Sequence, residues 1–130
     1  MARTNISSGT KWEKMVGYSR AVRVGPHVYV SGTAAVDASG MVVGAGDAFA
    51  QTRFILRKIE DALSEAGVSM YRVVRTRIFV TDISRADEIG RAHAEFFRET
   101  LPASTMVEVK ALVDPEMLVE IEVDAYVEPD

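Results

Sequence analysis

The sequence predicts an α+β fold: one mixed sheet with two helices on one face, in the order β-β-(β)-α-β-α-β-β. Three patterns carry this reading. Val119, Ile121, Val123, Ala125 and Val127 alternate with Leu118, Glu120, Glu122, Asp124 and Tyr126, the period of a half-buried strand. Phe49, Thr52, Ile55, Leu56, Ile59 and Leu63 make one apolar stripe at helical spacing. Val22 and Val24, then Val28 and Val30, flank Gly25-Pro26, which reads as two short strands around a tight turn.

The length of 130 residues fits a single domain, 1–130, with one substantial core. A composition of 48% hydrophobic and 26% charged residues is that of an ordinary folded, soluble chain. No apolar run approaches the roughly 20 residues of a membrane span, and the N-terminal stretch lacks the apolar core of a signal peptide. A cytoplasmic location is therefore expected. With no cysteine, disulfides, thiolate metal sites and cysteine nucleophiles are excluded. The net charge of −4 argues against a large nucleic-acid footprint, which needs clustered Lys and Arg.

Taken in order, residues 1–16 read as a polar lead-in that becomes ordered near Trp12, an aromatic expected to pack. Pro26, with its fixed φ and no N–H, belongs in the turn. Ser31-Gly32-Thr33 closes the second strand, and Gly32 permits close approach of other groups to the backbone. Asp37 to Gly40 is turn chemistry, and Met41-Val42-Val43 is a short third strand at best. The first helix runs from its N-cap Asp47 to Ala66, and Gly67 is its left-handed stop. Arg53, Arg57, Lys58, Glu60 and Glu65 lie mainly off its stripe and read as a solvated face.

Val73 to Thr81 alternates as the next strand, with Arg75, Arg77 and Phe79 on one side. Ser84 to Asp87 has the form of a capping box for a second helix, whose buried stripe is Ile89, Ala92, His93, Phe96 and Phe97. His93 is expected to be a packed histidine at the edge of the core. His27 falls in a turn, no second histidine stands at metal spacing, and no metal or cofactor is called for. The chain ends in two strands, read as a hairpin turning at Asp114-Pro115. Thr105 and Val107 fall on one side of the first of them, and Met106, Glu108 and Lys110 on the other. The face away from the helices would then show Phe79, Met106, and Leu118 or Tyr126 among charges, a mixture that suggests association through that face.

Familiar catalytic motifs are missing. Gly44-Ala45-Gly46 lacks the third glycine and the βαβ setting of a dinucleotide loop. There is no P-loop, no nucleophile elbow, and no histidine placed for a triad, so Ser19, Ser31 and Ser104 are poor nucleophiles. Glu108, Glu120, Glu122 and Asp124 could supply an acid–base group, although carboxylates on one strand face are more often paired with cations.

Four stretches together resemble the RidA/YjgF family, also called the endoribonuclease L-PSP or translation-initiation-inhibitor family. They are G-Y-S-R-A-V-R-V-G-x-x-V-Y-V-S-G-T, R-T-R-I-F-V-T-D-I, H-A-E-F-F, and P-A-S-T-M-V-E-V with V-E-I-E-V. The resemblance covers nearly the whole chain. It implies a chorismate-mutase-like fold and a homotrimer with small-molecule clefts between subunits. It also implies a hydrolase that turns reactive enamines and imines such as 2-iminopropionate into keto acids and ammonia. Carried over by position, Glu120 would position or activate water, and Tyr18, Ser31, Gly32 and Thr105 would line the cleft.

The resemblance breaks at the substrate anchor. Ser104 stands where the deaminases carry an arginine that grips the substrate carboxylate, and Gly90 replaces an asparagine found near the cleft in some members. Loss of such an anchor is worth about 2–5 kcal/mol in a partly buried site, or about 30-fold to several-thousand-fold in binding or turnover. Arg20, Arg77 and Lys110 are the candidate replacements. Little hydrolysis of 2-iminopropionate is therefore expected. Two readings stay open: a deaminase-type enzyme with an altered substrate, and a non-catalytic ligand-binding or regulatory trimer. A third, the endoribonuclease, fits an acidic chain poorly.

Overall fold

The structure, a computed structural model, describes residues 2–128. In chain order its elements are β1 (Arg3–Ile6), α1 (Lys11–Val16), β2 (Ala21–Val24), β3 (His27–Ala34) and α2 (Ala48–Glu65). Then follow β4 (Val73–Val80), α3 (Ala86–Phe97), β5 (Ala103–Glu108) and β6 (Val119–Tyr126). Short 3₁₀ turns at Met70–Arg72 and Ile83–Arg85 lead into β4 and α3. The strands form one six-stranded sheet in the order β1-β2-β3-β6-β4-β5. Neighbours are antiparallel except β4 and β5, which run parallel. No helix among the described residues is long and apolar enough to cross a membrane.

The alternation in the strands and the stripe of α2 meet in one core. Val28, Val30, Ile78, Val80, Ile121 and Val123 face α2, whose Ile55, Leu56, Ile59 and Leu63 are fully buried. Each such side chain contributes about 1.5–3 kcal/mol by leaving water. The α3 helix adds Ile89, Ala92 and Phe97 and packs against α2. Asp47 caps α2 by accepting from the Ala50 N–H at 2.9 Å. Gly67, just beyond the helix, takes φ of +79°, a value that excludes most side chains.

The predicted C-terminal hairpin does not form. β4 lies between β5 and β6, which are therefore not neighbours. A hairpin is the shortest antiparallel connection, but the twelve residues of α3 provide the crossover that parallel pairing of β4 with β5 requires. The turn at Asp114-Pro115 is present, with Asp114 Oδ1 accepting from the Glu116 N–H at 2.8 Å. It sits in a connection that carries the chain past β4. Gln51, buried in α2, holds that connection. Its Nε2 donates to Glu116 O at 2.9 Å, and its Oε1 accepts from the Leu118 N–H at 2.8 Å.

Met106 lies on the face opposite to the one expected, because of the register of β5 on β4. It stands beside Ile78 and packs against the core, as Leu118 does, while Val107 stands beside Phe79 on the open face. Three smaller expectations change too. The lead-in forms β1, paired along the outer edge of β2, and α1, where Trp12 is exposed rather than packed. The third strand reduces to a single bridge between Val36 and Val42. Ser84 does not cap α3, because its hydroxyl donates to Asp82 Oδ1 at 2.6 Å and the helix is entered through a 3₁₀ turn. The open face carries Tyr29, Arg77, Phe79, Glu122, Asp124 and Tyr126, with Arg77 paired to Glu122 at 3.3 Å and to Asp124 at 3.1 Å.

Candidate functional site

The site begins with an irregularity in β3. Its register against β6 shifts between Val30 and Thr33, the kind of bulge that re-aims side chains. Ser31 and Gly32 occupy the shift. The Ser31 hydroxyl donates to Ser19 O at 2.7 Å, so it ties the bulge to the residues before β2. Gly32 lies directly against Glu120. A Cβ added there would stand 2.6 Å from Glu120 Oε2, so the carboxylate occupies the space that a side chain would take.

Arg20 holds the bulge from behind. It is 9% exposed, and its Nη1 donates to Gly32 O at 2.7 Å and to Thr33 Oγ1 at 2.9 Å. Its Nη2 reaches the Tyr18 hydroxyl at 3.3 Å, and the guanidinium lies 5.6 Å from the centre of the Tyr18 ring. Lys58 arrives from α2. Its Nζ donates to Ala34 O at 3.2 Å and Val36 O at 2.9 Å, the carbonyls just past the bulge.

These residues surround a cavity of about 350 Å³. Trp12, Tyr18, Arg20, Gly32, Lys58 and Glu120 line it, and Val113 and Met117 close one side from the connection that Gln51 holds. The wall is largely apolar with a few converging polar groups, the usual character of a small-molecule site. Burial pushes the Glu120 carboxyl above the usual carboxylate range; Arg20 opposes the shift and Glu122 adds to it. Burial and the repulsion of Arg20 hold the Lys58 ammonium below its ordinary value, against an opposing pull from Asp37. A carboxyl in a cleft with its pKa raised by burial is a candidate for proton transfer.

Ser104 is elsewhere. It stands beside Thr76 on the helix-facing side of the sheet, the face opposite Glu120. Thr76 is fully buried, and its hydroxyl donates to Ser104 Oγ at 2.7 Å. Its single proton is then used, so Thr76 Oγ1 accepts from His93 Nε2 at 3.0 Å. Burial pushes the His93 imidazole below its ordinary value and favours the neutral ring. His93 also packs against Phe97, with ring centroids 4.6 Å apart.

Of the residues singled out from the sequence, Tyr18, Arg20, Gly32 and Glu120 share the cavity, with Ser31 supporting its floor. Thr105 is exposed on β5, two strands from Glu120. Arg77 is paired with Glu122 and Asp124, and Lys110 is exposed beyond β5. Lys58 corrects the reading of α2 as having a wholly solvated charged face. The signal for it was spacing: Lys58 follows buried Ile55 by three residues and precedes buried Ala62 by four, at the margin of the stripe. Trp12 likewise serves as cavity wall instead of core.

Comparison with known proteins accords with this arrangement. The endoribonuclease L-PSP family model matches residues 9–127. A Mycobacterium tuberculosis protein, described as a member of the highly conserved YjgF/YER057c/UK114 family, superposes with a TM-score of 0.89. It is 53% identical, over 97% of this chain and 100% of the other. The YjgF gene product of E. coli is 28% identical with a TM-score of 0.80, over 94% of this chain and 93% of its own. The 3-aminoacrylate deaminase RutC of Acinetobacter baylyi is 41% identical over 110 residues, 85% of this chain and 86% of that protein. The mixed sheet with two main helices is the chorismate-mutase-like α+β fold of these neighbours. The agreement extends from sequence to topology over nearly the whole length, and this chain belongs to the endoribonuclease L-PSP family, the RidA/YjgF proteins.

Proposed function

We propose that this protein hydrolyses small imines or enamines to carbonyl compounds and ammonia, with Glu120 managing the protons. The observation that carries the reading is the half-buried Glu120 carboxyl, set against Gly32 and raised in pKa by burial. Water attacks the carbon of the protonated imine while the Glu120 carboxylate accepts one of the water's protons, which gives a neutral carbinolamine. Glu120 returns that proton to the amino nitrogen, the C–N bond breaks to release ammonia, and the hydroxyl proton passes back to Glu120 as the carbonyl forms, balancing the proton the imine brought in. The sum is one imine and one water to one carbonyl and one ammonia. An enamine enters after a proton is added at carbon. A relative of 41% identity named as a 3-aminoacrylate deaminase supports the reaction class.

The active assembly in this proposal is a homotrimer with the ligand in a cleft between subunits. Ser104 and Glu120 lie on opposite faces of one sheet, so a second copy is needed to bring a Ser104 edge to the Glu120 cavity. The mixed apolar and charged open face supports the same assembly. The competing reading is ligand binding without turnover, and the replacement at Ser104 favours it. One experiment separates the two. Imines generated by an amino-acid oxidase, together with 3-aminoacrylate, are supplied to the wild type and to Glu120→Gln. The expected result is catalysed consumption of at least one compound by the wild type, reduced about 10²–10⁴-fold in the variant. Equal rates for both proteins would defeat the hydrolase reading.

A further inference from the structure

We propose that Lys58 makes the Glu120 cavity an anion-binding site, so that its ligand carries a carboxylate or a comparably small anionic group. This rests on taking that cavity as the functional site, but not on the chemistry assigned to Glu120. Lys58 is held in place: two of the three ammonium donors bond Ala34 O and Val36 O, which leaves one for a ligand. No carboxylate lies within ion-pairing distance of it among the described residues, although other cations of the chain have such partners. A half-buried ammonium bonded to two carbonyls and repelled by a guanidinium, with only the longer-range pull of Asp37 against this, gains more from an arriving anion than a solvated one would.

The charges lining the cavity agree. Arg20 and Lys58 stand against the single carboxyl of Glu120, so the wall is cationic even when Glu120 is ionised. Arg20 has most of its fork engaged by Gly32, Thr33 and Tyr18, and it contributes field more than contact. An adjoining depression of about 290 Å³ shares Arg20 and Lys58 but adds Asp37, Asp61 and Glu65. Those carboxylates lie on that side only, so the anion belongs beside Glu120. A compact ammonium offers one bond to one oxygen, where an arginine fork would offer two. Lys58 also reaches the cavity from the same chain as Glu120, and so acts independently of what stands at Ser104.

Binding of pyruvate and of its neutral amide, pyruvamide, tests the proposal on full-length wild-type protein, Lys58→Met, Lys58→Gln and Glu120→Gln. Calorimetry is run at low and high salt after folding is checked by thermal melts. The wild type is expected to bind pyruvate at least about tenfold more tightly than pyruvamide, the scale of one charge-assisted hydrogen bond. Lys58→Met should lose that preference and leave pyruvamide unchanged. Lys58→Gln, which keeps donors for the two carbonyls without the charge, should do the same, and it decides the matter if the methionine variant does not fold. Glu120→Gln should keep or strengthen pyruvate binding. Undiminished pyruvate affinity in a folded Lys58 variant would overturn the proposal, as would equal affinity for the two probes or failure of the wild type to bind pyruvate. A wild type without turnover but with Lys58-dependent pyruvate binding would remove the hydrolase reading and leave this one standing.

Discussion

The Glu120 cavity and the Ser104 edge lie on opposite faces of one sheet and are built differently. In the cavity a carboxyl, a guanidinium and an ammonium converge, and none forms a direct ion pair with another. At the edge three neutral groups, His93, Thr76 and Ser104, form a hydrogen-bonded chain from α3 to β5. The edge is satisfied from within the protein, so its geometry is fixed whether or not a ligand is present. The cavity keeps charge in reserve, and that is what a binding site requires. The difference teaches that the C-terminal motif joins two structural parts which lie on opposite faces of the sheet within one chain.

Gly32→Ala should have the largest effect, and it attacks the cavity alone. The new Cβ would meet Glu120 Oε2 at 2.6 Å. Because the clash is with the end of a side chain, the carboxylate moves before the backbone does. Activity should fall about 10²-fold, as for a catalytic group displaced by an ångström, while stability falls by no more than about 1–3 kcal/mol. Steady-state rates and thermal melts on one preparation check both. A fully active variant would show that Glu120 does not need to lie against the bulge.

Thr76→Val attacks the edge. The shapes match, but His93 Nε2 loses its acceptor in a half-buried setting and Ser104 loses its donor. Ser104 is exposed and can turn to water; His93 cannot do so as freely. Denaturant unfolding should show a loss of about 1–3 kcal/mol. An unchanged midpoint would mean that the hydrogen-bonded chain contributes nothing to the fold.

How much of this was legible in the sequence depended on the range of the forces involved. The Asp47 cap, the Gly67 stop and the alternation of β6 from Val119 to Tyr126 are local patterns that appear as read, and so does the stripe of α2 apart from Phe49, which lies outside the core. The place of β4 between β5 and β6 is not local. Both candidate partners of β5 were alternating strands, and only the length of α3 pointed to the parallel choice. The face of Met106 followed from the register of β5 on β4, which is not local either. Gly32 and Glu120 stood out separately in the sequence, but Tyr18 and the grouping of all three came from a resemblance, because no spacing links residues so far apart. Lys58 was missed because its burial depends on two carbonyls 24 and 22 residues away along the chain.

The two regions should also titrate in opposite senses. The Glu120 pKa is raised on folding, so the folded state holds that proton more tightly than the unfolded one. Stability should therefore fall as pH rises from the ordinary carboxyl value of 4.5 through the folded value, and stay reduced above it. Glu120→Gln removes this loss, so the variant should gain on the wild type above that window and match it below. The His93 pKa is lowered, so the cost appears on the acid side. Stability should be full above 6.5 and decline as pH falls through the folded value. His93→Gln should flatten that decline. Melting temperatures from pH 4 to 8 would read both, and slopes of the same sign would break the contrast.

Ser104→Arg should have the smallest effect on stability and says most about how the regions meet. Ser104 is exposed on β5, the terminal strand of the sheet, so a long side chain can extend into solvent, and stability should stay within about 0.5 kcal/mol of the wild type. Within one chain the new guanidinium lies on the wrong face to reach Glu120. In the proposed trimer a neighbour's Arg at this position faces the cavity and supplies a bidentate grip on a substrate carboxylate. Turnover of 2-iminopropionate should then rise about three- to tenfold. Sedimentation equilibrium on the same samples establishes the assembly. A stable monomer would remove the neighbour from the argument altogether. A trimer that gains nothing would place the Ser104 edge away from the cavity. The double variant Ser104→Arg with Lys58→Gln sharpens the point. If the new arginine and Lys58 hold the same carboxylate, the arginine should restore activity lost with the lysine, and by a larger factor than it adds to the wild type.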